Sequence, residues 1–297
     1  MKKILLIGAS GFVGKSLIEY FGDNNKYFSK IYTISRKNFS LKKKYKKLKK
    51  IKTDLIKLKK IPEIDYIMYL INSNGHKSYI KNFDKFKKLI NNLKYKPSIL
   101  FLSSGAIYGK RKKKQQISEK FLIRKNKILN YKNYKRKYAL EKIYLENKFK
   151  QLSKNGYKVS IARCFTFYGN YILNYKYAIS NILNSIIRKK KTIVFDKNPN
   201  IYRSYMHSDD MCKWLVKIIK NSNFNCPIYN VGSNKEINMF ELAAFFSNRY
   251  NIKLKSKNYD LNEIEYYVPS TEFATKDLGL KNNVSFKNGI KKILSNL

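Results

Sequence analysis

Tyr138 and Lys142 bound the pentapeptide YALEK, four residues apart, the spacing that sets a phenol and an ammonium one turn from each other on a single helix face. The cation favours the phenolate. Tyrosine ordinarily titrates near about 10, and a neighbouring positive charge lowers that by roughly 1 to 3 units, toward the range in which a proton is exchanged at neutral pH. Upstream, FLSSGAIYG (101–109) ends an apolar run with Ser103, Ser104 and Gly105, at the kind of strand end where open α/β sheets bind ligands. The chain holds 25 tyrosines and 64 lysines and arginines, so the pair YALEK alone arises easily by chance. The order of the motifs along the chain is what gives them weight.

These side chains need a frame, and the N-terminus supplies its start. KKILLIGASGFVGKSLIEYF (2–21) passes from an apolar strand through Gly8, Gly11 and Gly14 into an amphipathic pattern. Glycines so spaced allow a tight turn, close approach of backbone to a ligand, and close contact of the next helix with the sheet. The free N–H groups at that helix start form a phosphate site, which makes Gly8, Ser10, Gly11, Phe12, Val13 and Gly14 the candidate dinucleotide contacts. Further apolar runs at 30–35, 66–71, 98–103 and 159–163 alternate with helical patterns, the signature of a doubly wound parallel sheet. Beyond about residue 168 the pattern loosens into a helix near 178–189, short strands TIVF and IYNVG, and a helix near 238–249. The expected organisation is α/β: a Rossmann-type dinucleotide-binding domain over 1–168, rejoined by about 203–232, and a smaller, mainly substrate-binding lobe over 169–297.

A chain of 297 residues has the length for a substantial core, and no apolar stretch approaches the roughly 20 residues that span a bilayer. No signal-peptide pattern opens it, and a cytoplasmic location is expected. Cys164, Cys212 and Cys226 sit in apolar segments without metal-ligand spacing and read as reduced core residues. His76 and His207 lie far apart, so no metal site is expected. The formal charge of +45 suits nucleic acid, an anionic surface or an acidic substrate. The lysines are nevertheless spread throughout, alongside abundant asparagine, isoleucine, tyrosine and phenylalanine, as AT-rich coding produces regardless of function. Runs such as LKKKYKKLKK (41–50) read as solvated surface, and no specific nucleic-acid partner is expected.

Together GASGFVG, TDL with Asp54, SSGAIYG, YALEK, ARCFTFYG (162–169), RSYMHSDDM (203–211), YNVGS (229–233) and KDLGL (276–280) make nearly the whole chain resemble the extended short-chain dehydrogenase/reductases, specifically the NAD-dependent epimerase/dehydratase family that acts on nucleotide sugars. The resemblance implies that Ser104 holds the reacting sugar oxygen and that Tyr138 is the acid/base. It implies that Lys142 lowers the tyrosine pKa and holds the nicotinamide ribose, while Asp54 and Leu55 lie against the adenine. Arg203 matches the arginine that grips a substrate diphosphate, a task suited to a planar bidentate donor. Thr166 and Cys164 stand where the motif RPFNVYG has asparagine and proline, and Thr166 is carried over as a substrate contact. A homodimer through a helix bundle near Tyr138 is also implied.

Departures from the family pattern narrow the reaction. Gly105 and Ala106 occupy the positions of an acidic pair used for elimination in sugar-nucleotide dehydratases, so dehydration is not expected. In YLINSNG (69–75) the usual HLAA is altered. No acidic residue occurs between Ser29 and Thr53, and the second strand ends on Ser35, Arg36 and Lys37, a hydroxyl and two cations suited to the 2′-phosphate of NADP. NADP(H) is therefore favoured over NAD(H), and with it a reductase that transfers hydride to a keto group of a nucleotide-linked deoxysugar for glycan synthesis. Two alternatives remain: an epimerase that recycles NAD, and a non-catalytic dinucleotide-sensing or nucleic-acid-associated protein. The intact Ser104, Tyr138 and Lys142 set argues against the last.

Overall fold

Leu5, Ile7, Ile67, Phe101 and Ile161 point to one side of their strands and Ile4, Leu6, Met68, Leu100 and Ala162 to the other, and every one of them is buried. Strands apolar on both faces must lie between two helical layers. The computed structural model, which describes residues 2–24, 27–72, 78–172, 178–190, 192–195, 198–256 and 264–295, shows that arrangement. Strands β1 (Lys3–Ile7), β2 (Lys30–Ser35), β3 (Leu48–Lys52), β4 (Tyr66–Tyr69), β5 (Ser98–Ser104) and β6 (Val159–Cys164) join the late strand Ile228–Val231 in one seven-stranded parallel sheet. From one edge the order is Ile228–Val231, β6, β5, β4, β1, β2, β3. The order reverses between β1 and β4, and such a switch point opens a crevice at the carboxyl ends of the strands.

Helices α1 (Phe12–Asp23), α2 (Ser78–Asn91), α3 (Lys125–Leu129), α4 (Asn133–Lys154), α5 (Ala178–Ile187) and α6 (Ser208–Lys220) follow in chain order, then α7 (Met239–Tyr250), α8 (Glu272–Leu278) and α9 (Phe286–Leu294). Leu17, Ile18 and Phe21 of α1 and Trp214, Leu215 and Ile218 of α6 cover one sheet face. Phe83 and Phe86 of α2 and Leu145, Phe149 and Leu152 of α4 cover the other. Phe149 stacks on Phe101 at 4.5 Å between ring centroids and 8° between planes, which fixes α4 over β5.

Strand β3, KLKKIK in its setting, was hidden in the lysine run read as surface. It is the sheet's edge strand, with Lys49, Lys50 and Lys52 exposed and only Leu48 and Ile51 turned partly inward. Charged side chains along an edge discourage pairing with another chain. The smaller core of Ile179, Ile182, Leu183, Leu242, Phe246, Ile290 and Ile293 is built from α5, α7 and α9. Beside it, strand Ile201–Ser204 pairs antiparallel with Glu236–Asn238 and parallel with Glu265–Tyr267. That register sets Arg203 against Tyr267, with Glu265 two residues away on the same strand face.

Candidate active site

Gly8 leaves β1 with φ of +92°, a conformation that disfavours a side chain, and a Cβ there would lie 3.0 Å from the Ile71 nitrogen. A Cβ at Gly14 would meet the Ala9 oxygen and Cα at less than contact distance, so helix and loop touch only because the residue has no side chain. Gly11 differs: it is the N-cap of α1, nothing lies within 4 Å of its would-be Cβ, and no side chain caps the first N–H groups. The N-terminus of this twelve-residue helix carries a partial positive charge, which fits the pyrophosphate of a dinucleotide. Ser10 is half-buried beside it, while Phe12 and Val13 pack partly against the core and anchor the helix start.

At the end of β2, Ser35 is buried and donates to the Lys37 carbonyl at 2.8 Å, and Arg36 and Lys37 project into solvent. Asp54 accepts the Ile56 N–H at 3.1 Å and so caps the short turn Leu55–Lys57, with Leu55 sunk in the core. His76 and the end of YLINSNG lie outside the described residues.

Ser104 is the last residue of β5, is 7% exposed, and accepts the Ala106 N–H at 3.2 Å. Tyr138 on α4 is half-buried against Ala106, Ile128 and Tyr131, which brings it over the same strand end. Lys142 is buried, donates to the carbonyls of Leu102 (3.0 Å) and Ile71 (3.2 Å), and holds its ammonium 5.6 Å from the Tyr138 ring centroid. Burial pushes the Lys142 pKa down, partly offset by Glu141 and Glu146. The two carbonyls pin the ammonium against the Tyr138 ring. Nearby, burial pushes the Cys164 thiol up to about 12, which leaves it inert.

Below the site lies a network that the sequence did not announce. Glu146, one turn beyond Lys142, receives Arg163 Nε at 3.1 Å and Nη2 at 2.8 Å, and Ser103 donates to it at 2.5 Å. Arg163 also donates to the Tyr108 hydroxyl at 2.9 Å, which in turn donates to Asn230 at 2.9 Å. α4, β5, β6 and strand Ile228–Val231 are thereby tied together directly under Ser104 and Lys142.

Strand Glu265–Tyr267 also reaches this strand end. Tyr267 shares a hydrogen bond with Ser104, and burial there drives the Tyr267 pKa well above its ordinary value. Its ring packs on Phe165 at 4.7 Å. A Cβ at Gly105 would lie 2.7 Å from Phe165 Cζ and 2.8 Å from the Tyr267 hydroxyl, so the place of an acidic side chain is already filled. Arg203 is partly buried, donates to the Tyr202 carbonyl at 2.8 Å, and pairs through Nη2 with Glu265 at 3.1 Å. Burial would raise the Glu265 pKa, but the charges of Arg203 and Lys135 outweigh it and hold the carboxyl below its usual range. Thr166 is half-buried at the junction of the lobes, its carbonyl accepting the Met206 N–H at 3.0 Å. Sequence reading missed Tyr267 and Glu265, which only the register of distant strands brings here, and Lys135, which lies one turn before Tyr138 on α4 and gains Glu265 as a partner through that register.

A parallel sheet with its order reversed beside β1, a glycine turn at that point, and serine, tyrosine and lysine at the strand ends define a short-chain dehydrogenase/reductase fold. A model of the NAD dependent epimerase/dehydratase family matches residues 4–232, and the chain belongs to that family. It is 29% identical over 292 residues to the bifunctional polymyxin resistance protein ArnA of Wigglesworthia glossinidia brevipalpis, covering 88% of this chain and 43% of that one. The chain thus spans less than half the length of that relative. Its fold is similar to UDP-N-acetylglucosamine 4-epimerase from Methanobrevibacter ruminantium (TM-score 0.78, 18% identity, 100% and 99% of the two chains). It is also similar to the NAD-bound dTDP-glucose 4,6-dehydratase of Streptomyces venezuelae (TM-score 0.77, 14% identity, 99% and 96%). Among the described residues no helix is long and apolar enough to cross a membrane.

Proposed function

We propose that the chain is an NADP(H)-dependent reductase acting on a keto group of a nucleotide-linked deoxysugar. The observation that carries this reading is the convergence of Ser104, Tyr138 and a buried, carbonyl-pinned Lys142 on one strand end, with Phe165 and Tyr267 crowding the place a side chain at Gly105 would take. When bound, the dinucleotide supplies the hydride. Gly11 and the uncapped N–H groups of α1 hold its pyrophosphate, with Gly8, Ser10, Phe12, Val13 and Gly14 shaping the loop, and Asp54 and Leu55 flank the adenine. Arg36 and Lys37 meet a 2′-phosphate at the end of β2, where Ser35 is buried and bonded to the Lys37 carbonyl, because two exposed cations with no acidic neighbour on the strand end suit that group.

Ser104 donates a hydrogen bond to the sugar oxygen and orients it. As charge develops on that oxygen, Tyr138 delivers the phenolic proton, so a carbonyl becomes a hydroxyl and the phenol is left as phenolate. Lys142 stabilises that phenolate until solvent returns the proton. Arg203 and Thr166 lie on the substrate side, and the lobe over 169–297 mainly holds the sugar nucleotide while 1–168, with 203–232, holds the dinucleotide.

The test is to follow NADPH oxidation by the purified protein across UDP- and dTDP-linked ketosugars. One NADPH consumed per sugar reduced supports the reading. Interconversion of two sugars without net dinucleotide consumption would make the chain an epimerase and reject it.

A further inference from the structure

Ser16, Glu19, Tyr20 and Asp23 recur at i, i+3, i+4 and i+7 along α1 and so form one polar stripe of that helix, opposite Leu17, Ile18 and Phe21 in the core. The stripe lines a cavity of about 410 Å³, within the range of about 300–1,000 Å³ usual for small-molecule sites. The loop between β2 and β3 adds Lys42, Lys43 and Tyr45 to its lining, and the turn after Tyr168 adds Asn170 and Tyr171. Asp209 from α6 and Lys292 from α9 complete the wall. None of Ser104, Tyr138, Lys142 and Arg203 lines it, and the reaction proposed above gives it no role.

Its walls are bonded to one another. The Tyr171 hydroxyl donates to Glu19, and the Lys42 backbone N–H donates to Glu19 Oε1 at 3.3 Å and to the Tyr171 hydroxyl at 3.2 Å. The Tyr45 hydroxyl donates to Asp23 at 3.3 Å, and Lys43 and Lys292 pair with Asp23 and Asp209. Three carboxylates thus meet three ammoniums, so the lining is neutral in a chain of formal charge +45. Burial, with the carboxylates of Asp23 and Glu19 alongside, raises the pKa of Tyr45 and Tyr171 and keeps both phenols neutral. On the same lining, the hydroxyl of Ser16, a residue only 7% exposed, and Asn170 Oδ1 are buried with no hydrogen-bond partner among the described residues. Native structures seldom leave such atoms unpaired, because the lost hydration is not repaid. Both belong to a cavity wall, where a group inside the cavity supplies the missing bond.

The chemistry of that group is narrowed by the lining. An anion would face three carboxylates and an amide oxygen that can only accept. A cation would find the carboxylates already paired and the field of the whole chain against it. A hydroxyl both donates and accepts, so a neutral polyol can donate to Asn170 Oδ1, exchange a bond with Ser16, and accept from the lysines and tyrosines. The tyrosine rings offer apolar surface of the kind that the C–H face of a sugar ring covers. We propose that the cavity along α1 is a saccharide-binding site, separate from the reacting groups, that takes a neutral hexose unit, free or at the end of a glycan chain. It does not depend on which reaction Ser104 and Tyr138 perform.

The experiment is a saturation-transfer NMR titration of the full chain with glucose, N-acetylglucosamine, maltotriose and inositol, with spermidine and sulfate as charged competitors. Wild type is compared with Ser16→Ala and Asn170→Ala, and with Ser104→Ala as the variant at the reacting groups. Wild type should bind at least one neutral probe, and neither competitor should displace it. Loss of one neutral hydrogen bond corresponds to a rise in Kd of about 2- to 10-fold. Ser16→Ala and Asn170→Ala should each show that rise with the melting midpoint unchanged, since the deleted atoms have no partner in the protein, and Ser104→Ala should bind as wild type does. Tighter binding of maltotriose than of glucose assigns the site to a glycan end and the reverse order to a free sugar, and both support the proposal. A wild-type protein that binds no neutral probe overturns it, as does displacement by spermidine or sulfate, wild-type affinity in both cavity variants, or a loss confined to Ser104→Ala. Amide shift mapping on the wild type is the second readout and needs no variant to fold. Shifts clustered at Ser16, Tyr45 and Tyr171 support the site, and shifts clustered at Ser104 and Tyr138 overturn it.

Discussion

Glu146→Gln is the sharpest test of the scaffold beneath the site. Glu146 is 2% exposed and Arg163 3%, and glutamine keeps the shape of the side chain while removing its charge. The guanidinium then stays in the core with the Tyr108 hydroxyl and the Glu119 carbonyl as partners, and with only the longer-range charge of the Glu119 carboxylate opposite it. Breaking one side of a buried pair costs about 3–5 kcal/mol, against a total stability of about 5–15 kcal/mol. At about 2–4 °C per kcal/mol for a domain of moderate size, the melting midpoint should fall by roughly 6–20 °C, toward the lower end for a chain this long. The assay is built in. Trp214, the single tryptophan, is 1% exposed on α6, so its fluorescence reports denaturant unfolding directly. Glu272→Gln is the control, because its pair with Lys276 is solvent-exposed on both sides and its loss should leave the midpoint unchanged. Replacing both core partners, Glu146→Leu with Arg163→Met, should recover most of the loss, since no unpaired charge remains. A Glu146→Gln midpoint no lower than that of Glu272→Gln would refute the reasoning.

Gly11→Ala should change stability by about 1 kcal/mol or less, as expected at an N-cap, yet weaken NADPH binding because its methyl enters the space before the α1 donors. Gly8→Ala, at φ of +92°, should instead destabilise by about 1–3 kcal/mol, and unimpaired NADPH binding by Gly11→Ala would contradict the phosphate site. Neutralising Arg36 and Lys37 together should weaken NADPH far more than NADH in titrations, and equal losses would reject the 2′-phosphate assignment. Burial, reinforced by Lys292 and opposed by Asp209 and Asp210, holds the His207 pKa below its usual value of about 6.5. Between those two values the unfolded chain binds more protons than the native one, so stability should fall as pH drops through about 6.5. His207→Asn keeps an acceptor for the Asp209 N–H and should remove that part of the fall in melts from pH 7.5 to 5.5; a full fall in the variant would exclude His207 as its source.

What could be read from sequence was what is encoded locally. β1, β4, β5 and β6 are buried on both faces and so appear as apolar runs, and the glycine turn and YALEK carry their meaning within a few residues. β3 was missed because an edge strand needs only Leu48 and Ile51 turned inward, and its lysines look like any other surface lysines. Tyr267 reaches Ser104 across 163 positions only because Glu265–Tyr267 pairs with Ile201–Ser204 in one register. Arg163 appeared within ARCFTFYG and Glu146 one turn after Lys142, but nothing in either segment shows that the two meet in the core. Lys135 was one lysine among many until the fold gave it Glu265 as a partner.

The central claim is that Tyr138 moves the proton, and steady-state kinetics of Tyr138→Phe test it most directly. The substitution removes one hydroxyl and keeps the ring that packs against Ala106, Ile128 and Tyr131, so fold and NADPH affinity should be retained. General acid–base catalysis contributes about 10²- to 10⁴-fold, and kcat should fall by that order. Ser104→Ala acts on the same substrate oxygen, so the two losses should combine less than additively. A Tyr138→Phe protein with undiminished turnover on its substrate would contradict the mechanism outright.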